Sequence, residues 1–196
     1  KMSNNDESVA DKIIQCIDSH ILDCRQKGCL TCHYIRDTTH IVTCSAGNHA
    51  QGVAYVCNMY DLKCTIFIPT CTPLQKQNRI RHYGGTKLNL VITGSNFDEC
   101  LAEATVFSTQ HTAIFVHPFD DMDVIIGQST ILKEITEVIQ PHIVICPIGG
   151  GGLISGQLIY KEYTNSKVNI IGVEPEAADS MRQSLEMDMR STLHDI

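Results

Sequence analysis

The chain has 196 residues, 43% of them hydrophobic, with a formal net charge of −7, 10 cysteines and no tryptophan. That length supports one large domain or two small ones with a real core. The acidic balance argues against a nucleic-acid partner, no apolar run is long enough for a bilayer, and no signal-peptide pattern opens the sequence, so a cytoplasmic protein without membrane contact is the expectation.

In chain order, residues 1–39 form an atypical N-terminal segment: Lys1–Glu7 is polar, Asp11–Cys24 has the spacing of an amphipathic helix, and Arg25–Thr39 has no clear period. From residue 40, short apolar runs alternate with longer amphipathic ones. Strands are predicted at His40–Cys44, Cys64–Ile68, Lys87–Ile92, Ala113–Val116, His142–Cys146 and Asn169–Val173. Helices are predicted at Asn48–Tyr60, Pro73–Tyr83, Asn96–Gln110, Met122–Ile139, Gly151–Tyr163 and Ala177–Met187, with Asn96 or Ser95 as a start signal and Gly84-Gly85 and Pro141 as stops. Strand and helix in alternation imply an α/β fold with parallel sheet covered by helices. The strand runs are β-branched and poor in charge, as strands buried on both faces are. Cys57, Cys64, Cys100 and Cys146 sit in these apolar runs and read as reduced core thiols.

Two stretches carry chemistry. In Pro147-Ile148-Gly149-Gly150-Gly151-Gly152-Leu153, four glycines separate a predicted strand from a predicted helix. Such a turn lets backbone N–H groups converge without side chains in the way, and the helix start adds partial positive charge, so it suits a phosphate. It lacks the Lys-Ser/Thr ending of a P-loop and the spaced acidic residue of a dinucleotide fingerprint. The second stretch, Ser45-Ala46-Gly47-Asn48-His49-Ala50-Gln51-Gly52, leaves a strand and enters a helix at the sheet end where open α/β folds bind ligands. Helix-start amides suit a carboxylate and an Asn amide suits a phenolic oxygen, while Ser or Asn acting simply as an N-cap is the structural alternative.

These two loops resemble those of the pyridoxal-phosphate-dependent serine/threonine dehydratases, a group that includes serine racemase. Gly94-Ser95-Asn96-Phe97-Asp98-Glu99, His117-Pro118-Phe119-Asp120, Ile126-Gly127-Gln128-Ser129-Thr130 and Gly172-Val173-Glu174-Pro175-Glu176-Ala177 are similar to that family in the same order, so the likeness runs over about residues 40 to 187. The resemblance implies the two open parallel-sheet layers of the fold-type II enzymes, with a small α/β domain at 40–117 and a partial large cofactor-binding domain at 118–196. It implies pyridoxal phosphate as cofactor, with Asn48 on the ring hydroxyl, Gly149, Gly150, Gly151 and Gly152 on the phosphate, and Ser45, Ala46, Gly47 and His49 around the substrate carboxylate. The implied reaction is β-elimination from L-threonine or L-serine to a 2-oxo acid and ammonia, that is, a lyase of amino-acid metabolism. Serine racemase is the alternative activity, and a small amino acid is the expected partner, with a homo-oligomer possible.

The same resemblance implies a Schiff-base lysine in a Ser-x-Lys-x-Arg-Gly stretch upstream of the Asn loop, which this sequence does not contain. Counting back from Ser45 reaches Ile21-Leu22-Asp23, the nearest lysines being Lys12 and Lys27. The catalytic lysine is therefore unassigned. The family also extends past the part resembling Ile170–Leu185, which makes a fragment or non-catalytic remnant the further alternative, with no lysine adduct of the cofactor on the isolated chain. An incomplete large-domain sheet would expose apolar surface and favour poor solubility or pairing with another chain. No metal is expected: where the racemase branch uses a Glu, a carbonyl and an Asp, this chain has Glu174, Ala178 and Ser180, and Asp179 is one place out of step. Cys29-Leu30-Thr31-Cys32-His33 matches a haem-attachment spacing, and Cys24 nearby a zinc pair, both read here as chance among many cysteines.

Overall fold

The computed structural model describes residues 39–191. The predicted helix Asp11–Cys24, the Cys29–His33 pattern, Lys12 and Lys27 lie outside these residues. The chain divides into two compact units, one running up to Val116 and the other starting at His117.

The first unit alternates β1 (His40–Cys44), α1 (Asn48–Met59), β2 (Lys63–Ile68), α2 (Leu74–Gly84), β3 (Leu88–Ile92), α3 (Phe97–Gln110) and β4 (Ile114–Phe115). Its sheet has four strands in the order β3-β2-β1-β4, every pair parallel. The period-2 geometry of a strand sends alternate residues of β2 to opposite faces. Cys64, Ile66 and Ile68 meet Ala50, Ala54 and Cys57 of α1 and Ile80 of α2 on one side. Phe67 joins Val42 and Cys44 of β1 with Cys100 and Ala104 of α3 on the other. The central strands are thus covered on both faces, as their apolar runs predicted.

Most buried polar side chains of this unit are paired, the Thr72 hydroxyl being the exception among the described residues. His40 Nε2 lies 2.8 Å from Thr65 Oγ1, and its ring edge stands on Phe107 at 5.6 Å. Burial, then the positive Lys63 and His111, depress the His40 imidazole below its ordinary pKa. Burial and the neighbouring Cys100 push the Cys44 thiol up, and burial does the same to Cys100. The buried cysteines Cys44, Cys57, Cys64, Cys100 and Cys146 are free thiols, as their placement in apolar runs suggested.

The start of α3 explains the stretch Gly94–Glu99. Asn96 Oδ1 accepts the Glu99 N–H at 2.9 Å, and the Ser95 N–H and hydroxyl donate to the Glu99 carboxylate at 2.7 and 2.8 Å. This reciprocal cap satisfies helix-start donors and holds the Glu99 carboxyl below its usual range.

The second unit contains α4 (Met122–Val138), β5 (Ile143–Pro147), α5 (Gly152–Tyr163), β6 (Asn169–Val173) and α6 (Ser180–Met187). β5 and β6 pair in parallel, Ile145 opposite Ile171 and Pro147 opposite Val173. Asp121 Oδ1 caps α4 by accepting the Asp123 N–H at 2.8 Å and the Val124 N–H at 3.4 Å. α4 and α5 cross at Gly156, where a Cβ would lie 2.4 Å from the Ile125 carbonyl oxygen and 2.7 Å from the Ser129 nitrogen. The crossing brings backbone against backbone, so no side-chain rearrangement relieves a larger residue. Among the described residues, no helix is long and apolar enough to cross a membrane.

One expectation changes here. β5 and β6 read as strands buried on both faces, yet Ile143, Ile145, Ile171 and Val173 are 54%, 70%, 48% and 49% exposed. These residues share one face of the pair, and within the second unit that face is left largely open. Apolar strand composition records the demand for cover, not the cover itself. Boundaries shift slightly elsewhere: Gly85–Lys87 is a 3₁₀ turn, so β3 starts at Leu88, and a second 3₁₀ turn at Glu176–Ala178 delays α6 to Ser180.

The α4–α5 crossing yields a direct test. Gly156→Ala is expected to destabilise the protein by about 1–3 kcal/mol through overpacking, read as a lower denaturation midpoint in urea. An unchanged midpoint would mean the helices do not approach as described.

Candidate functional site

The two loops are described separately, each within its own unit. In the first unit the chain leaves β1 at Cys44 and enters α1 at Asn48. The loop is pinned from below: the Thr43 hydroxyl donates to the Val116 carbonyl at 2.7 Å and sits 3.0 Å from His49 Nε2. A carbonyl can only accept, so the single Thr43 proton is committed and His49 must donate from Nε2. That fixes which imidazole nitrogen carries hydrogen.

The backbone of this loop is partly spoken for. Ser45 N–H donates to the Phe67 carbonyl at 3.1 Å, and Gly47 N–H donates to Ser45 Oγ at 3.2 Å. Among the described residues, the amides of Ala46 and Asn48 have no protein acceptor. The cap alternative is not what the geometry shows. Gly47 is the N-cap of α1 with no side-chain cap, and Asn48 is the first helical residue and exposed. Ser45, Ala46, Gly47, Asn48 and His49 are contiguous in sequence, and their open donors include the Ala46 and Asn48 main-chain amides, the Asn48 side chain and the Ser45 hydroxyl.

In the second unit β5 delivers the chain into the glycine turn. Ile148 N–H still pairs with the Val173 carbonyl at 2.8 Å, and the first bond of α5 runs from Ser155 N–H to the Gly151 carbonyl at 3.0 Å. Between these bonds, no acceptor among the described residues takes the amides of Gly149 through Ile154. Gly151, the N-cap, stands at φ +87°, a left-handed conformation that L side chains rarely adopt, and offers no side-chain cap. Unpaired amides at the mouth of a 12-residue helix with no capping side chain are the physical description of an anion cradle.

Neighbours press on this turn. A Cβ on Gly150 would lie 2.2 Å from Phe119 Cγ, and one on Gly152 would lie 3.0 Å from Phe119 Cα and O. A Cβ on Gly149 meets nothing within 4 Å. Gly150 and Gly152 are glycines because Phe119 occupies the side-chain space, whereas Gly149 faces open space.

The family model for pyridoxal-phosphate dependent enzymes matches residues 8–195. The chain belongs to this family. It is 43% identical over 150 residues to the L-threonine dehydratase biosynthetic IlvA of Staphylococcus aureus, covering 74% of this chain and 36% of that relative. Among solved structures it is similar to the processed form of threonine deaminase isoform 2 from Solanum lycopersicum, at 40% identity and TM-score 0.72, over 82% of this chain and 46% of that one. It is also similar to serine racemase from Dictyostelium discoideum, at 30% identity and TM-score 0.67, over 78% of this chain and 49% of that one. The chain thus spans less than half the length of these relatives. Its α/β units with parallel sheets are those of the fold-type II pyridoxal-phosphate enzymes.

The glycine turn fits the phosphate of this cofactor on its own geometry. The amides are free of protein acceptors, and three of its glycines leave no Cβ in a turn already bounded by neighbouring atoms. The metal comparison ends differently. The Glu174 carboxylate accepts the N–H groups of Met181 and Arg182, both at 2.9 Å, at the start of α6. Asp179 is paired with Arg182 and accepts from Gln183 at 2.6 Å, and the Arg182 bond, with Gln183 adding to it, keeps its carboxyl low. Both carboxylates serve the α6 terminus, and among the described residues no group of three His, Cys, Asp or Glu is placed to hold a metal. Beside them, Ile148, Ile154, Leu158, Met181 and Leu185 line an open groove of about 800 Å³ that the glycines of the turn do not line.

Sequence reasoning named the glycines but missed Phe119. Its position in His117-Pro118-Phe119-Asp120 was part of the family likeness, yet nothing in linear order ties it to a turn thirty residues on. The contrast between two neighbouring glycines tests the packing. Gly150→Ala is expected to cost about 1–3 kcal/mol of stability from overpacking, and Gly149→Ala much less, by chemical denaturation. Equal costs would show that Phe119 does not seat against Gly150.

Proposed function

We propose that this chain holds the cofactor phosphate and the substrate carboxylate of a pyridoxal-phosphate-dependent L-threonine or L-serine dehydratase site. The observation that carries this reading is the run of amides from Gly149 to Ile154 left without protein acceptors at the start of α5. Identity of 43% and 40% to a threonine dehydratase and a threonine deaminase supports the substrate class.

In this reading Gly149, Gly150, Gly151 and Gly152 hold the phosphate through main-chain N–H groups. Asn48 would pair with the ring hydroxyl through its side-chain amide, and the open main-chain amides of Ala46 and Asn48, with Ser45, Gly47 and His49 around them, would take the amino-acid carboxylate. Amide donors are neutral, so they bind these anions without bringing a counter-charge that would have to be desolvated. When bound, pyridoxal phosphate supplies an electron sink for the carbanion formed at the substrate α-carbon. The overall reaction would remove the α-proton and the β-hydroxyl as water, and hydrolysis of the released enamine would give the 2-oxo acid and ammonia. His49, whose proton is on Nε2 and directed at Thr43, is oriented here as a fixed wall of the carboxylate patch.

The lysine that such a reaction needs has no place among residues 39–191. The lysines there are Lys63, Lys76, Lys87, Lys133, Lys161 and Lys167, and none belongs to a Ser-x-Lys-x-Arg-Gly stretch. A second reading, favoured by that observation, is a member that binds the cofactor without turning it over. The likeness to serine racemase supports racemisation as the alternative chemistry.

One experiment separates these readings. The full chain is mixed with pyridoxal phosphate and L-threonine or L-serine, products are measured, and borohydride reduction is followed by peptide mapping. The expected result is saturable binding that inorganic phosphate competes away, with no reduced adduct on the six lysines named. An adduct on any of those six, or binding indifferent to phosphate, contradicts the assignment. Where product forms, oxo acid and ammonia mark the dehydratase, and D-serine marks the racemase.

A further inference from the structure

We propose that Phe119 is the positioning residue of the phosphate cradle, its ring acting as the fixed wall that keeps the Gly149–Ile154 amides converged. The inference rests on the cradle reading above and adds a residue that does not itself touch the cofactor.

Three observations in the second unit carry it. First, the ring occupies the volume beside the turn. A Cβ on Gly150 would fall 2.2, 2.4 and 2.5 Å from Phe119 Cγ, Cδ1 and Cδ2, so the glycine Cα lies directly against the ring. A Cβ on Gly151 would meet Met181 Cε at 3.0 Å. The turn is bounded by Phe119 at one glycine and Met181 at the next, which removes much of the freedom that four consecutive glycines would otherwise have.

Second, Phe119 is itself held. His117 Nδ1 accepts the N–H groups of Phe119 at 3.3 Å and Asp120 at 2.8 Å, and the two rings meet edge-on at 4.7 Å. Asp121 then caps α4. The aromatic wall is therefore tied to the start of α4 by local hydrogen bonds, not carried on a loose loop.

Third, α4 is locked to the helix that begins at the cradle. The close approach of Gly156 to the Ile125 carbonyl fixes α4 against α5 one turn beyond the glycine run. The route from His117 through Phe119 to the turn, and from Asp121 through α4 back to α5, closes a loop of contacts around the amides. Preorganised donors bind an anion more tightly because their ordering cost is already met on folding.

The test uses the full chain and two variants, Phe119→Ala and Phe119→Leu. Binding of pyridoxal phosphate, inorganic phosphate and phosphate-free pyridoxal is titrated, and hydrogen exchange of the Gly149–Ile154 amides is followed. Phe119→Ala is expected to weaken both phosphate ligands about tenfold by loss of preorganisation, to leave pyridoxal unchanged and to speed exchange at those amides. Phe119→Leu, which keeps an apolar wall, is expected to recover most of the affinity, and it carries the test if the alanine variant does not fold. Wild-type affinity for phosphate ligands in Phe119→Ala, or equal loss for pyridoxal and pyridoxal phosphate, overturns the inference alone. Wild-type protein that gains nothing from the phosphate group overturns the cradle reading and this inference with it.

Discussion

Six consecutive main-chain amides at the start of α5, Gly149 to Ile154, are the constraint around which the second unit is built. Folding normally pairs nearly every backbone donor, so leaving a run of them open has to be compensated by water or a ligand. The protein keeps the run open by excluding the usual capping solutions. Gly151 adopts a left-handed N-cap with no side chain to turn back on the helix, and Phe119 fills the space a side chain at Gly150 would need. The result is positive partial charge in a defined place with no side-chain cation in the turn.

The first unit solves the complementary problem with a different economy. There, two amides of the turn are paired, Ser45 to Phe67 and Gly47 to Ser45, which shapes the loop, and Ala46 and Asn48 stay open. Thr43 ties β1 to Val116 at the end of the unit while accepting the His49 proton, so one hydroxyl sets both the loop's support and the tautomer of its histidine. Each loop thus combines donors used for structure with donors that have no protein acceptor among the described residues. Membership of the pyridoxal-phosphate family motivates the proposal that such donors serve a phosphate and a carboxylate.

Much of this was readable in linear order because it is local. The β1 run His40–Cys44 and the β6 run Asn169–Val173 have the predicted bounds, and the α3 cap through Asn96 and Glu99 depends on residues three apart. The four glycines were legible for the same reason, as a turn between a strand and a helix. What escaped is non-local. Gly156 looks like an ordinary small helix residue until Ile125 is placed against it, and Phe119 acquires its role only when the chain returns thirty residues later. The exposed apolar surface expected of an incomplete large-domain sheet is there, but which strands carry it was not legible from composition, since Ile145 and Ile171 would be chosen for a covered strand in any case. Glu174 and Asp179, weighed in sequence as metal ligands, are spent on helix donors and on Arg182, which spacing alone does not reveal.

Nuclear magnetic resonance of the amide-labelled chain, titrated with pyridoxal phosphate, addresses the central claim most directly. The account predicts that the largest shifts fall on the N–H signals of Gly149 through Ile154, and that inorganic phosphate moves the same signals in the same direction. Shifts that avoid these amides, or that leave them unmoved at saturation, would contradict it.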